Sequence, residues 1–336
     1  MTSFVLKIPC SSANIGPGFD VIGLALSLHL DLHVTIEAKP SSQLPFNCAI
    51  TYEDQSKSVE KISLDPEVNL ITRVALYVLR CHNQRAFPVE TKVHIVNPIP
   101  LGRGLGSSGT AVVAGVMLGN EVERHPDNVA ASLFGGFVGT YLNELKPEDV
   151  ARKEIPLSEV LPAPAGGVDT GIRPPEPPMA IGHYRKFNWA PEIKAIAIIP
   201  DFVVPTANAR NVLPETYSRA DVVFNLQRAA LLPAALGSSP PDPDMIFLAM
   251  QDKVHQPYRK TLIPGLTEIL QFMTPATQPG LLGICLSGAG PTILALATDR
   301  FTEIADRIIA QFASNDISCQ WKLLEPAQDG ATVTYN

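Results

Sequence analysis

The 336-residue chain is predicted to fold as an α+β protein of two domains, and three observations carry that expectation. First, the length exceeds what one ordinary core fills, since domains cluster at roughly 100–200 residues. Second, stretches of apolar–polar alternation are interleaved with stretches of helical character. Third, prolines crowd residues 156–178 ("LPAPAGGVDTGIRPPEPPM"), where neither helix nor central strand can be sustained. The expected division is therefore 1–160 and 161–336, with the proline-rich segment as the connection.

In "LDLHVTIEA", Leu30, Leu32, Val34 and Ile36 share one face and Asp31, His33, Thr35 and Glu37 the other, the period of a half-buried strand. "KVHIVNP" repeats it. Residues from Gly109 to about Glu121 lack proline and are rich in Ala, Val, Met and Leu, which predicts a buried helix. In the second half, "IKAIAIIP" predicts a short apolar strand. "SRADVVFNLQRAALL" opens a helix on the Ser218/Asp221 capping-box spacing. "LLGICLSGAGPTILALAT" gives two strands hinged at Ser287–Pro291. A helix with Phe301, Ile304, Ile308 and Phe312 on one stripe follows, then a last strand in "CQWKLLEP". This order suits a small antiparallel sheet with helices on one face.

Composition excludes several classes. A formal charge of −7 without a long basic run argues against nucleic acid as a partner. Cysteines at positions 10, 48, 81, 285 and 319 show no C-x-x-C spacing and predict reduced, mostly buried thiols. No apolar leader follows "MTSFVLKIPCSS", and no stretch reaches the ~18 apolar residues of a membrane span. A cytoplasmic protein without a membrane partner is expected.

The chemistry is concentrated in "PIPLGRGLGSSGTAVVAGVML", residues 98–118. Gly104 to Gly109 match G-x-G-x-x-G, but the acidic strand end that a dinucleotide site needs further on is replaced by "ERHPDNVAASLFGGF". A Walker A loop needs a lysine that is absent, and a protein-kinase glycine loop needs a following strand rather than a helix. Two readings remain: a tight glycine turn packed on its helix, or a lysine-free phosphate cradle. In the second, backbone N–H groups and the helix dipole face an anion, and the Ser107 and Ser108 hydroxyls serve Mg²⁺ or a phosphate oxygen. Two further small-residue loops offer similar chemistry. They are "PCSSANIGPGFDVIGLAL", with Ser11, Ser12, Asn14 and Asp20, and "LSGAGPTI".

Taken in order, "ANIGPGFDVIGLAL", Pro100 to Ser108 and "SGAGPT" resemble the three motifs of the small-molecule kinase superfamily of galactokinase, homoserine kinase, mevalonate kinase and phosphomevalonate kinase. "ERHPDNVAASLFGGF", "NARNVLP" and "QPYRKTLIPG" are most similar to the homoserine kinase branch, and "GRGLGSSG" and "WKLLEPAQDGATV" to its fungal members. The resemblance implies an N-terminal domain like ribosomal protein S5 domain 2 and a C-terminal ferredoxin-like domain. It implies transfer of phosphate from ATP with Mg²⁺ to the hydroxyl of L-homoserine, in a homodimer. ATP would lie against Pro100, Gly102, Gly104, Leu105, Gly106, Ser107, Ser108 and Gly109, with Asn69 near the adenine and with Ser108 and Glu123 on the metal. Acceptor residues would be Asn14, Asp20, His125, Asp127, Asn128, Arg210 and Arg259, with Asp127 and Asn128 nearest the chemistry and Asn128 orienting the hydroxyl. A zwitterionic amino acid needs carboxylates for its ammonium and guanidinium forks for its carboxylate, which suits Asp20 and Asp127 on one side and Arg210 and Arg259 on the other. Asp127 could also cap the helix that follows it.

The chain departs from that pattern at one junction. Val122 joins Glu123 directly where the resemblance implies roughly 20 further residues, so a helix rising about 1.5 Å per residue must hand over to the acceptor turn with almost no connection. An altered splice junction would produce this. A non-catalytic relative that keeps the fold, or a kinase for another small hydroxyl substrate, are the alternatives the sequence leaves open.

Overall fold

A computed structural model describes residues 2–40, 43–55, 62–119, 126–144 and 182–335. The proline-rich connection lies outside the described residues. Among the described residues, eleven strands form two sheets. The first is built on β1 (Thr2–Ala13) and β2 (Ile22–Ile36), paired antiparallel from Thr2↔Ile36 to Ala13↔Gly23 with an irregularity at Pro9/Cys10, where proline has no N–H for the ladder. β2 is long enough to hold two partners on one edge. β4 (Thr91–Asn97) pairs with its second half, and β5 (Phe137–Leu142) with Ile22–Leu24. β3 (Cys48–Asp54) lies parallel to β4, and β6 (Gly182–Phe187) lies antiparallel to β5.

The second sheet contains β7 (Lys194–Pro200), β8 (Leu281–Leu286), β9 (Ile293–Ala297) and β10 (Cys319–Leu324) in the order β10-β7-β9-β8, every pair antiparallel. That is the ferredoxin-like strand order. β11 (Thr332–Tyr335) then returns to the first sheet and pairs with Phe4–Lys7 of β1.

The second sheet is covered on both faces, not one. Along β7, Ala195, Ala197 and Ile199 enter the core shared with the first sheet, while Ile196 and Ile198 enter a second core. Helices over Leu266–Phe272 and Phe301–Ala313 fill that second core. Helices over Arg219–Gly237 and Pro243–Ala249 contribute Leu232, Leu236 and Ile246 to the shared one. This explains why β7, β8 and β9 read as unbroken apolar runs rather than as alternation. The Ser218 cap forms as predicted, its Oγ accepting from the Asp221 N–H at 3.1 Å. The cysteines are free, and burial pushes the Cys10 and Cys285 thiols up to about 12.

On the first sheet, α1 (Leu70–Cys81) packs against α2 (Ser107–Gly119). Contact is close because glycines face the partner: a Cβ at Gly115 would stand 2.3 Å from the Ile71 carbonyl oxygen, and one at Gly119 2.5 Å from Ala75 Cα. Gly115→Val is therefore expected to separate the helices. Overpacking of this kind costs about 2–3 kcal/mol, a fall in Tm of roughly 3–4 °C for a chain of this size. A scanning-calorimetry trace that matches the parent would contradict this close packing.

Candidate active site

A cavity of about 480 Å³ opens between the two sheets. Its wall brings together eleven of the predicted site residues: Asn14, Asp20, Asn69, Gly102, Gly104, Gly106, Ser107, Ser108, Gly109, Arg210 and Arg259. Gly288, Ala289 and Gly290 of the third small-residue loop line it as well.

Backbone and serine hydrogen bonds draw the three loops into one body. Ser11 N–H donates to Leu105 O at 3.3 Å, Gly288 N–H to Ala13 O at 2.9 Å and Thr292 N–H to Arg103 O at 3.1 Å. Ser287 Oγ donates to Gly104 O at 2.7 Å, so its single proton is used and the 2.7 Å contact with Ser12 Oγ has Ser12 as donor. Both serines are fully buried. Arg103 fastens the glycine loop to the second sheet through Pro200 O and, at 2.9 Å, Asp201 Oδ1.

The helix begins two residues earlier than the composition indicated, so both serines belong to its first turn. Gly106 O accepts from Thr110 N–H at 2.8 Å, the first intrahelical bond. The N–H groups of Ser107, Ser108 and Gly109 therefore have no carbonyl within the helix, and no acidic side chain stands in that turn. With the macrodipole behind them they offer the donors that an anion at the cavity wall would need. Ser108 is exposed there. Pro100 and Leu105 are not at this wall: both are buried, and Leu105 serves the site through its carbonyl. Asn69 lines the cavity while capping α1, its Oδ1 accepting from Ile71 N–H at 3.1 Å.

The opposite part of the cavity carries charge. Asn14 and Asp20 both have left-handed backbone, φ 60° and 53°, and Asn14 Oδ1 accepts from Asp20 N–H at 2.8 Å. Arg259 is 3% exposed, with Nε donating to Ala209 O at 3.0 Å and one terminal nitrogen to Gly288 O at 3.1 Å. Burial lowers its pKa most, the Asp20 carboxylate opposes that, and the neighbouring Arg210 adds to it. An arginine remains charged under such a shift. Asp20, Arg210 and Arg259 thus form one electrostatic group, with Arg210 on the helix Thr206–Asn211.

Glu123 and His125 lie outside the described residues. Asp127 and Asn128 fall in the first turn of α3 (Pro126–Phe134). Tyr52 and Asn97 also line the cavity, joined by Asn97 Nδ2 donating to Tyr52 Oη at 2.8 Å. Sequence reasoning passed over both. The signal was available, because alternation in β4 places Asn97, a polar residue, on the buried face at the strand end.

The family models for the GHMP kinases N terminal domain and the GHMP kinases C terminal domain match residues 69–124 and 241–314. A homoserine kinase of Saccharomyces cerevisiae is 59% identical over 351 residues, covering 98% of this chain and 98% of its own. The chain belongs to the homoserine kinase family of GHMP kinases. It is accordingly a kinase, a phosphoryl-transferring enzyme. A homoserine kinase of Schizosaccharomyces pombe is 49% identical over the whole of both chains. The crystal structure of a homoserine kinase from Cytophaga hutchinsonii superposes with a TM-score of 0.72 at 25% identity, over 99% of this chain and 97% of that one. The S5-like and ferredoxin-like α+β architecture of the family is the one described above. The 351 aligned positions of the budding-yeast relative exceed the 336 residues here, so that relative carries residues with no counterpart in this chain.

Proposed function

We propose that the chain transfers the terminal phosphoryl group of ATP to the side-chain hydroxyl of L-homoserine, giving O-phospho-L-homoserine for threonine synthesis. The observation that carries this is one cavity with the open N–H groups at the start of α2 in one part and the Asp20, Arg210 and Arg259 group in the other. One part suits polyphosphate and the other an amino-acid zwitterion.

In this reading the loop from Gly102 to Gly109 wraps the phosphates, with Pro100 and Leu105 supporting it from the core side, and Asn69 lies near the adenine. Ser108 and Glu123 hold Mg²⁺. An ion of this kind is held by one or two protein oxygens together with the phosphates themselves. When bound, the ion neutralises phosphate charge. Asp20 and Asp127 take the ammonium group, and Arg210 and Arg259 the carboxylate. Asn14 fixes the Asp20 backbone, His125 completes the acceptor wall, and Asn128 orients the hydroxyl. Phosphoryl transfer asks for positioning and charge stabilisation more than covalent participation, so no protein base is assigned.

Two analogues test the charge assignment. 4-Hydroxybutanoate lacks the ammonium group and 3-aminopropan-1-ol lacks the carboxylate. Each is expected to fall about 10–150-fold below L-homoserine in kcat/KM, the worth of one charge-assisted contact of 1.5–3 kcal/mol. An analogue within threefold of L-homoserine would remove the corresponding pair of residues from the acceptor site.

The same proposal places a nucleotide lobe in about 1–160 and a ferredoxin-like lobe in 161–336, with β6 and β11 returning to the first sheet. The free cysteines suit a reducing, cytoplasmic compartment. No helix among the described residues is long and apolar enough to cross a membrane. A homodimer is part of the same proposal.

A further inference from the structure

We propose that the stack of Phe19 on His255, fixed from below by Asp252, sets the separation of Asp20 and Arg259 and thereby the affinity for the amino-acid acceptor. The proposal rests on the acceptor-site reading above. Neither Phe19 nor His255 lines the cavity, so both are positioning residues that act through their neighbours.

The base of the arrangement is the Asp252 carboxylate, fully buried and saturated with donors. Its Oδ1 accepts from Asn225 Nδ2 at 2.7 Å and Val254 N–H at 3.0 Å, and its Oδ2 from His255 N–H at 2.9 Å and Gln256 N–H at 2.7 Å. It thereby holds the two backbone N–H groups that lead into the short helix Gln256–Arg259 and fixes where Arg259 starts from. Asn225 also donates to Pro17 O at 3.4 Å, a direct tie to the loop that ends in Asp20.

His255 makes the second tie. It is fully buried, and its Nε2 lies 2.9 Å from Gly16 O. A carbonyl only accepts, so Nε2 carries the proton. Nδ1 has no hydrogen-bond partner, as expected for the bare nitrogen of a neutral ring. Burial is the main cause that holds the pKa of His255 below the ordinary histidine value. Gly16 has φ +55°, and a Cβ there would stand 3.0 Å from Met250 Cα and O, so the loop is pressed against the second lobe at this point.

Phe19 then joins the two charged groups. Its ring lies 5.5 Å from the His255 ring at an interplanar angle of 24°, and the Arg259 guanidinium carbon lies 4.9 Å from the Phe19 centroid. The next residue is Asp20, whose N–H is held by Asn14. One aromatic ring therefore touches the arginine, rests on the histidine and precedes the aspartate in the chain. Movement of that ring changes the distance between the two charges.

The test uses the full chain and titration calorimetry with L-homoserine and with MgATP, so it does not depend on turnover. Phe19→Leu keeps apolar bulk but loses the stack and the cation–π contact. It is expected to weaken L-homoserine binding about tenfold while the Kd for MgATP changes less than about twofold. Phe19→Tyr should restore L-homoserine binding to within about twofold of the parent, because the ring faces are retained. His255→Gln keeps an amide donor for Gly16 O but not the ring, and should reproduce the selective loss. Unchanged L-homoserine affinity in both Phe19→Leu and His255→Gln, or parallel loss of both ligands, overturns the proposal. Arg259→Ala separates the two layers of the argument. If it leaves L-homoserine affinity intact, the acceptor-site reading itself fails. If it abolishes binding while Phe19→Leu does not weaken it, only the positioning role fails.

Discussion

Replacing Gly104 with alanine is expected to lower kcat/KM about 100-fold or more in a chain that still folds. Gly104 has φ +88°, a conformation in which an L side chain is strained by about 1–3 kcal/mol. Space adds to the strain. A Cβ would stand 2.4 Å from Ser287 O and 3.0 Å from Gly290 O, and both are backbone atoms that cannot rotate away. The same residue accepts the Ser287 Oγ hydrogen bond, so pushing Gly104 outward also breaks the link to Ser12. The displaced loop is the one that precedes the open N–H groups at the start of α2, and a shift of about 1 Å there is enough to cost two orders of magnitude in rate. Gly288→Ala is the comparison. It also has positive φ, at 58°, but its nearest new contact would be 3.5 Å from Gly104 O, so strain alone should leave it far more active. Steady-state kinetics on both variants, with melting curves to confirm folding, decide the point. Equal activity of Gly104→Ala and the parent would show that the loop is not seated against Ser287 during turnover.

Arg259→Ala is expected to weaken L-homoserine binding roughly 150-fold, about 3 kcal/mol, with a smaller effect on MgATP. The guanidinium is buried and already aligned by Ala209 O and Gly288 O, so little side-chain entropy remains to be lost when a carboxylate arrives. Truncation removes that donor and leaves two buried carbonyls without it, so some loss of Tm should accompany the loss of affinity. Arg259→Lys should recover less than about a tenth of the affinity, because an ammonium group cannot serve two carbonyls and a carboxylate in a fork. Calorimetric titration of both variants measures this. Parent-like affinity in Arg259→Lys would mean that charge alone, without the fork, is what the site reads.

The strands and long helices were legible wherever one face met water, because alternation or a helical stripe records that boundary. Leu30 to Ile36 and the Phe301 to Phe312 stripe are examples. The second sheet was legible as strands, but its two-sided burial was not, since Ile196 and Ala197 look alike in sequence though they enter different cores. β11 pairs with β1 across nearly the whole chain, and such a long-range return leaves no local pattern. The site was read from small-residue motifs, which mark where backbone must approach a ligand or another loop. Motifs do not distinguish those two reasons. Leu105 and Ser12 hold loops together, whereas Ser108 faces the cavity, and only the fold separates them. Asp252 and His255 lie outside the motifs, and nothing in "ANIGPGFDVIGLAL" sets Phe19 apart from its neighbours, because their effect arises from contacts between Gly16–Asp20 and the second lobe.

The central claim is tested most directly by measuring ADP release from MgATP by the 336-residue chain with and without L-homoserine. The expected result is turnover that depends on L-homoserine and saturates with it, which would also show that the direct joining of Val122 to Glu123 is compatible with catalysis. A folded chain that binds MgATP yet releases ADP at the same rate whether or not L-homoserine is present would contradict the assignment, and would leave a nucleotide-binding relative without the acceptor half of the reaction.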